Sequence, residues 1–428
     1  MAPLSILIVG CGVAGPTLAS FLLSTSEPVG EKPHITVLER SSSLRAQGQN
    51  VDIRGAGVTI IRKLGLESVI RASVTGEEGV RFVDENNVTW GMFAADKSGK
   101  IQTGTSDIEI LRGERDGGKG IEYVFGDWVE ELEQDGSKVN VRFAKSGERR
   151  SFDLVVGADG LLSRTRRMVW GEESEEDRVK WLGMYGGFFS CPKGETDSLW
   201  RRWFRAPGRK GIMVRPSDRK DRTTVFMLVI NDEDKRLRDV ALKGHKAVEA
   251  QKALLEEHFR DMGWECGRIV KEMKAAEDFY YSPVAQIKMD KWSKGRVVLL
   301  GDAGYCASPV SGMGTTLAFT GAYNLAGALA RHPDDYTAAF AEYEKQMRPI
   351  ADRAQKLALG GRGPKALHPE TAWGILVMQT IIFIISWSGL ANLIFMLAGP
   401  PANSVPVEDY GFKDLPEWHE QNNSIARS

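Results

Sequence analysis

The sequence predicts an α/β protein: a parallel sheet assembled from separate stretches of chain, a mainly antiparallel sheet inserted between them, and a helical C-terminal region. Three observations carry this prediction. Short apolar runs at residues 4–9, 151–157 and 296–300 each lead into a glycine-bearing turn, as strands buried on both faces do. Between the second and third of these runs lie strand-like segments at 181–190, 199–206, 211–215 and 222–231, separated by Gly, Pro and charged turns. From Thr315 onward, helix-forming residues dominate.

Composition narrows the class. A chain of 428 residues is long enough for two domains or one composite domain. Hydrophobic residues make up 42% and charged residues 26%, which is ordinary for a globular protein. The formal net charge of −1 offers no basic excess for nucleic acid and no acidic excess for disorder. Cys11, Cys191, Cys266 and Cys306 are scattered without CxxC or zinc spacing, so they read as reduced, buried thiols and no metal site is expected. Met1 to Ser5 runs straight into an apolar strand without a basic n-region, so a secretory signal is not expected and a cytoplasmic protein is.

The elements follow in order. Residues 4–9 (LSILIV) form the first strand, and Gly10-x-Gly12-x-x-Gly15 follows at once. Residues 16–23 read as helix, and 34–38 as a second strand ending at Glu39. This is a βαβ unit. In it, Gly10 permits the tight turn, Gly12 lets backbone approach a pyrophosphate, and Gly15 packs the helix on the strand. The helix N-terminus offers unpaired N–H groups and a positive dipole end to phosphate. Glu39, 24 residues beyond Gly15, is placed to accept from ribose hydroxyls. Residues 151–157 (SFDLVVG) lead to Ala158-Asp159-Gly160, and 296–300 (RVVLL) to Gly301-Asp302-Ala303-Gly304. Both turns therefore sit at the carboxyl edge of a sheet, where open α/β folds bind ligands. Residues 245–262 are amphipathic and helical.

The GxGxxG, GADG and GDAG segments, in this order and at these separations, resemble the FAD-dependent aromatic hydroxylases (para-hydroxybenzoate hydroxylase-like, class A), and among them tetracycline-degrading and fungal secondary-metabolite monooxygenases. The resemblance spans roughly residues 4–355 and implies a Rossmann-type FAD-binding domain (GR2-like) with an inserted substrate domain. It implies segments 1–75, 108–180 and 279–350 for FAD, 76–107 and 181–278 for the substrate, and a C-terminal helical region from 351 to 428. Gly10, Gly12 and Gly15 would hold the pyrophosphate and Glu39 the adenosine ribose, with Arg40 beside it. Arg45, Asp52 and Arg112 match positions that line or contact the cofactor. Asp159 belongs to a motif implicated in both FAD and NAD(P)H contacts. Asp302 would meet the ribityl or pyrophosphate region, with Gly312, Gly314 and Thr315 near the isoalloxazine. No second GxGxxG is present, which fits NAD(P)H as a transient reductant, and the flavin then activates O₂.

The chain departs from the family at several places. Tyr305 stands where many relatives have histidine, and Thr316 where many have asparagine. After Arg112, relatives continue into a helix, whereas here a glycine-rich stretch at 113–120 leads directly to the next strand. His34 and His258 read as surface or packing residues. The stretch Trp200 to Arg205 reads either as a pocket lining or as a two-faced strand, and Tyr185 and Arg215 share that ambiguity. Residues 373–398 carry no charge and have two readings. One is a membrane contact with Trp373 and Trp387 as interface anchors. The other is a pair of short helices broken at Ser388-Gly389. Three functions remain open on the sequence. The first is an FAD monooxygenase that hydroxylates or epoxidises a hydrophobic aromatic or polyketide-like molecule with NAD(P)H and O₂. The second is a flavin dehydrogenase or reductase of a lipid-like substrate. The third is a flavin-poor scaffold. No catalytic residue is assigned, and the oligomeric state is not legible.

Overall fold

The computed structural model describes residues 3–24, 32–43, 51–53, 55–72, 75–95, 101–103, 120–217, 219–361, 363–388 and 406–417. The N-terminal stretch holds β1 (Ser5–Val9), α1 (Ala14–Leu23), β2 (His34–Glu39), β3 (Val51–Ile53), α2 (Ala56–Lys63) and α3 (Glu67–Ala72). Next come β4 (Gly79–Val83), β5 (Thr89–Ala94), β6 (Ile101–Thr103), β7 (Ile121–Phe125), β8 (Val129–Gln134), β9 (Val139–Phe143), β10 (Arg149–Phe152) and β11 (Leu154–Gly157). They lead into α4 (Arg164–Trp170), α5 (Glu175–Arg178), β12 (Val179–Pro192), β13 (Trp200–Ala206), β14 (Lys210–Pro216) and β15 (Arg222–Ile230). Then follow α6 (Lys235–Leu242), α7 (Val248–Phe259), α8 (Cys266–Ala275), β16 (Tyr280–Ile287), β17 (Ser293–Lys294) and β18 (Val297–Leu299). The remainder is helical: α9 (Asp302–Tyr305), α10 (Gly314–Arg331), α11 (Tyr336–Ala354), α12 (Gly363–Leu367) and α13 (Ala372–Ser388).

One sheet has the order β17-β18-β11-β1-β2-β7, with every pair parallel except β17 with β18. Its central strands β1 and β11 bury apolar side chains on both faces because both faces are covered. Ile6, Ile8, Ile35, Val37, Leu154 and Val156 point into a core shared with α1 and α10. The alternate residues Leu7, Val9, Leu38 and Val155 point the other way, onto Val139, Val141 and Phe143 of the β8–β10 meander.

The second large sheet has the order β16-β12-β15-β14-β13-β4-β5 and is antiparallel except where β13 runs parallel to β4. The strands expected from sequence at 181–190, 199–206, 211–215 and 222–231 are its β12 to β15. One face buries Tyr185, Phe189, Phe204, Ile212 and Met227 against α6, α7 and α8. The expected helix at 245–262 is α7, preceded by a 3-10 turn at Gly244–Ala247.

Helix α10 is buried without a break from Thr316 to Leu329, and its small residues explain how. A Cβ at Gly321 would stand 2.0 Å from the Tyr305 hydroxyl, and one at Gly327 2.1 Å from the Tyr410 ring. Segment 406–417 straps across this helix. Phe412 packs on Phe21 and Tyr323, the Tyr323 hydroxyl donates to the Glu408 carbonyl (2.7 Å), and Leu415 N–H donates to the Lys63 carbonyl (2.7 Å).

The uncharged run at 373–398 enters the described structure as α13; the residues from Gly389 on, and with them the expected break at Ser388-Gly389, lie outside the described residues. Helix α13 docks on the sheet's edge strand β5. The Ser386 hydroxyl accepts from Met92 N–H and donates to the Met92 carbonyl, both at 3.0 Å, filling edge groups that would otherwise be open. Among the described residues, no helix is long and apolar enough to cross a membrane. All four cysteines are free and buried.

Candidate functional site

The parallel ladder brings the three glycine motifs to one edge. Val9 is in register with Leu38 and with Gly157, and Gly157 with Leu299. The ladder then runs one residue further, with Gly10 N–H donating to Leu38, Ala158 N–H to Val9 and Leu300 N–H to Gly157 (2.8–2.9 Å). Gly10, Glu39, Asp159 and Asp302 therefore emerge side by side at the carboxyl end of four adjacent strands.

Gly10 is required twice over. Its φ is +115°, and a Cβ there would lie 2.3 Å from the Ala158 carbonyl oxygen. At Gly15 a Cβ would lie 2.1 Å from the Gly10 carbonyl oxygen, so this glycine seats α1 on its strand. Gly12, Gly312 and Gly314 are different, because a Cβ at any of them meets nothing within 4 Å. Those three glycines border open space, and a bare backbone there leaves room for a bulky group. Helices α1 and α10 both start at this edge, and neither N-terminus is capped by a side chain. Unpaired first-turn amides and the helix dipole suit an anion or a ring carbonyl. Thr315 lies in the first turn of α10.

The acidic residues divide by what they hold. Glu39 accepts from Cys11 N–H (3.1 Å) and Ser41 N–H (2.9 Å), which ties the glycine turn to the end of β2, with exposed Arg40 between. The Asp159 carboxylate accepts from the Ser163 hydroxyl (2.6 Å) and from Thr165 N–H and hydroxyl (2.9 and 3.1 Å), closing the turn that starts α4. Asp302 opens α9 with its residue exposed at this edge. Desolvation holds its carboxyl above the ordinary carboxylate range. Asp52 lies in β3, paired with Gln102. The Asp52 side chain, Arg45, Arg112 and the stretch 113–119 lie outside the described residues.

Three positioning features were not singled out in the sequence. Arg166, fully buried, donates to the Ala303 carbonyl (2.7 Å) and the Leu161 carbonyl (2.9 Å) and pairs with Glu175. It thereby joins the GADG turn to the GDAG turn, and the only local signal was its place in Arg164-Thr165-Arg166. Gln286 and Gln355 form a reciprocal clamp. Gln286 Nε2 donates to the carbonyls of Ala307 and Gln355, and Gln355 Nε2 to those of Ile287 and Cys306 (2.7–3.2 Å). The clamp fixes β16 of the large sheet against the loop after Asp302. Ser308 is buried, holds φ at +74°, and its hydroxyl has no hydrogen-bond partner among the described residues.

Tyr305 is not at the site. It stacks beside Trp292 in the core, and its hydroxyl lies 3.0 Å from that of Tyr343. The Trp200–Arg205 stretch is a two-faced strand. Arg202 and Phe204 face the helices, where Arg202 pairs with Asp197 and Glu265 and Phe204 stacks on Trp264. Trp203 and Arg205 point to the opposite face. Tyr185 belongs to the helix-side core, stacked on Tyr281, and Arg215 pairs with buried Glu77 (3.0 Å). His34 is exposed. His258 sits 3.4 Å from Asp234 and is held below the usual histidine range by burial.

Comparison with known proteins adds to this geometry. A family model described as an FAD binding domain matches residues 4–358. The FAD-dependent monooxygenase asL6 of Sarocladium schorii is 36% identical, over 95% of this chain and 97% of its own length. Monooxygenase CTB7 of Cercospora beticola is 35% identical, over 96% and 98%. Among solved structures, the tetracycline destructase Tet(51) superposes with a TM-score of 0.73 at 29% identity, covering 90% of this chain and 98% of that one. Klebsiella pneumoniae HpxO complexed with FAD and uric acid superposes at 0.67 and, at 19% identity, is similar in fold (93% and 97% covered).

Proposed function

This chain belongs to the FAD binding domain family and is an FAD-dependent monooxygenase; on that premise we propose that it uses NAD(P)H and O₂ to hydroxylate or epoxidise a hydrophobic aromatic or polyketide-like molecule of secondary metabolism. The observation that carries the reading is the edge where three turns and two uncapped helix N-termini meet around glycines bordering open space. This edge would hold FAD, which would supply the redox chemistry of electron uptake from the reductant and O₂ activation.

The chain's own residues supply placement. Gly10, Gly12 and Gly15 with the α1 N-terminus would hold the pyrophosphate, and Glu39, flanked by Arg40, the adenosine ribose. Asp302 would meet a cofactor hydroxyl, and Gly312, Gly314 and Thr315 would offer amides to the isoalloxazine edge. Asp159 would act through α4, whose start it fixes. Arg45, Asp52 and Arg112 would complete the shell. Segments 1–75, 108–180 and 279–350 would then form the cofactor unit, and 76–107 with 181–278 the substrate unit. The large sheet's face away from α6–α8 would roof the substrate and exclude water.

The test is isotopic. The purified protein, given NADPH and ¹⁸O₂ with a panel of polyhydroxylated aromatics, should transfer one labelled oxygen into at least one of them. Substrate oxidation without label would favour a flavin dehydrogenase.

The outer face of α13 supports a second contact. Trp373 and Trp387 are 74% and 83% exposed, and Leu376, Ile381, Phe383 and Ile384 lie exposed between them. Such a face, uncharged and flanked by tryptophans, suits the boundary of a lipid surface. Flotation with liposomes should carry wild-type protein upward and leave W373S/W387S behind.

A further inference from the structure

Resting on the aromatic-substrate reading above, we propose that Arg205 selects the substrate by binding an acidic oxygen (phenolate, enolate or carboxylate) on an otherwise apolar ring system. The residue is 8% exposed, yet among the described residues its buried Nε–H has no hydrogen-bond partner and no carboxylate pairs with its guanidinium. Every other arginine buried on this sheet is compensated: Arg202 by Asp197 and Glu265, Arg215 by Glu77. Burial alone pulls the Arg205 guanidinium down to about 10, still charged at neutral pH. An uncompensated buried cation destabilises a fold, so its retention calls for an anion that arrives from outside.

The surroundings say what carries that anion. Phe204 points into the helix-side core, so Arg205 points to the other face, with its guanidinium 4.6 Å above the Phe82 ring. That face is aromatic: Phe93 lies 5.9 Å from Phe82, and Trp203 lies 6.4 Å from Phe226. His368, from the turn after α12, lies 5.6 Å from Trp203 between ring centres. Its Nδ1–H donates to the Pro364 carbonyl (3.0 Å), which leaves Nε2 as an acceptor without a partner among the described residues, in a residue 6% exposed. The Trp203 Nε1–H is likewise buried without a partner among the described residues. A cation, a neutral donor and a neutral acceptor, all unsatisfied on one aromatic face, match a ring bearing an ionised oxygen beside a second hydroxyl or carbonyl.

The experiment uses the FAD-loaded enzyme and its R205M and R205K variants. The probes are alizarin and its 2-O-methyl ether, titrated in a buffer that keeps the free dye protonated. Wild type should bind alizarin about tenfold or more tighter than the ether and turn its spectrum to that of the phenolate. R205M should bind both alike without the colour change, R205K should retain part of it, and R205M should melt higher than wild type by roughly 2 °C, because an unpaired buried charge is gone. Unaltered discrimination in R205M overturns the proposal. So does an R205M that loses NADPH affinity but keeps the dye response, since the anion would then be the reductant's phosphate. A wild type that carries FAD and oxidises NADPH yet binds neither dye contradicts the aromatic-substrate reading itself, and the proposal falls with it.

Discussion

At the scale of single residues, the same amino acid serves different ends according to what its backbone approaches. Gly10 is hemmed in by Ala158, while Gly12, two residues on, borders open space. Gly10→Ala should therefore unfold the nucleotide edge, at about 3 kcal/mol or more, seen as a lowered Tm even in excess FAD. Gly12→Ala should leave Tm of the FAD-free protein unchanged and weaken FAD instead, as flavin fluorescence titration would record. Glu39→Ala removes an acceptor of charge-assisted bonds worth roughly 1.5–3 kcal/mol, so FAD affinity should fall about tenfold or more. Asp159→Ala removes the turn that starts α4, at about 1 kcal/mol of stability, and should change FAD affinity far less than Glu39→Ala. The glycines and Glu39 were legible in the sequence because their spacing is local: a tight turn and the end of the next strand lie within one βαβ unit. Arg205 and His368 were not, since their meeting depends on strand register and on a turn 163 residues away.

At the scale of elements, the alternation of buried residues explains what could be read in advance. Runs such as Leu4–Val9 are apolar at every position but Ser5 because β1 is covered by helices on one side and by the β8–β10 meander on the other. Four of the seven strands of the large sheet, β12 to β15, were equally legible from their turns. The strap 406–417 was not, because it forms no helix or strand and is held by tertiary contacts alone: Phe412 under Tyr323 and Tyr410 over Gly327. Gly327→Leu should lift the strap from α10 and lower Tm by several degrees, and protease should then cut near residues 406–417 while the wild type resists. Tyr305, read as a replacement within the motif, proved to be an anchor for α10: its hydroxyl fills the notch left by Gly321.

At the scale of the whole molecule, two buried groups set the acid limit. Burial pushes His368 down to about 4, with the Arg205 charge acting in the same direction. The unfolded chain takes up that proton near the ordinary histidine value, and the folded chain does not, so stability falls as pH drops from about 6.5 towards 4. Glu265 is held at about 2 by Arg202, Thr196 and Arg268 against the opposing cost of burial, and its contribution is lost between roughly pH 4.5 and 2. A Tm profile should therefore descend in two stages on acidification, and His368→Gln should shrink the first without touching the second, the remainder of the first belonging to His258.

The central claim is that FAD sits at the edge where the GxGxxG, GADG and GDAG turns meet and is reduced there by NAD(P)H. The direct measurement is the visible spectrum of the purified protein in excess FAD, after removal of unbound flavin, before and after anaerobic addition of NADPH. The account predicts the two bands of oxidised flavin at one equivalent per chain, bleached by NADPH, and lost in Glu39→Ala at low FAD. A colourless protein that retains no flavin, or a flavin that NADPH leaves oxidised with every aromatic compound tried, would contradict it.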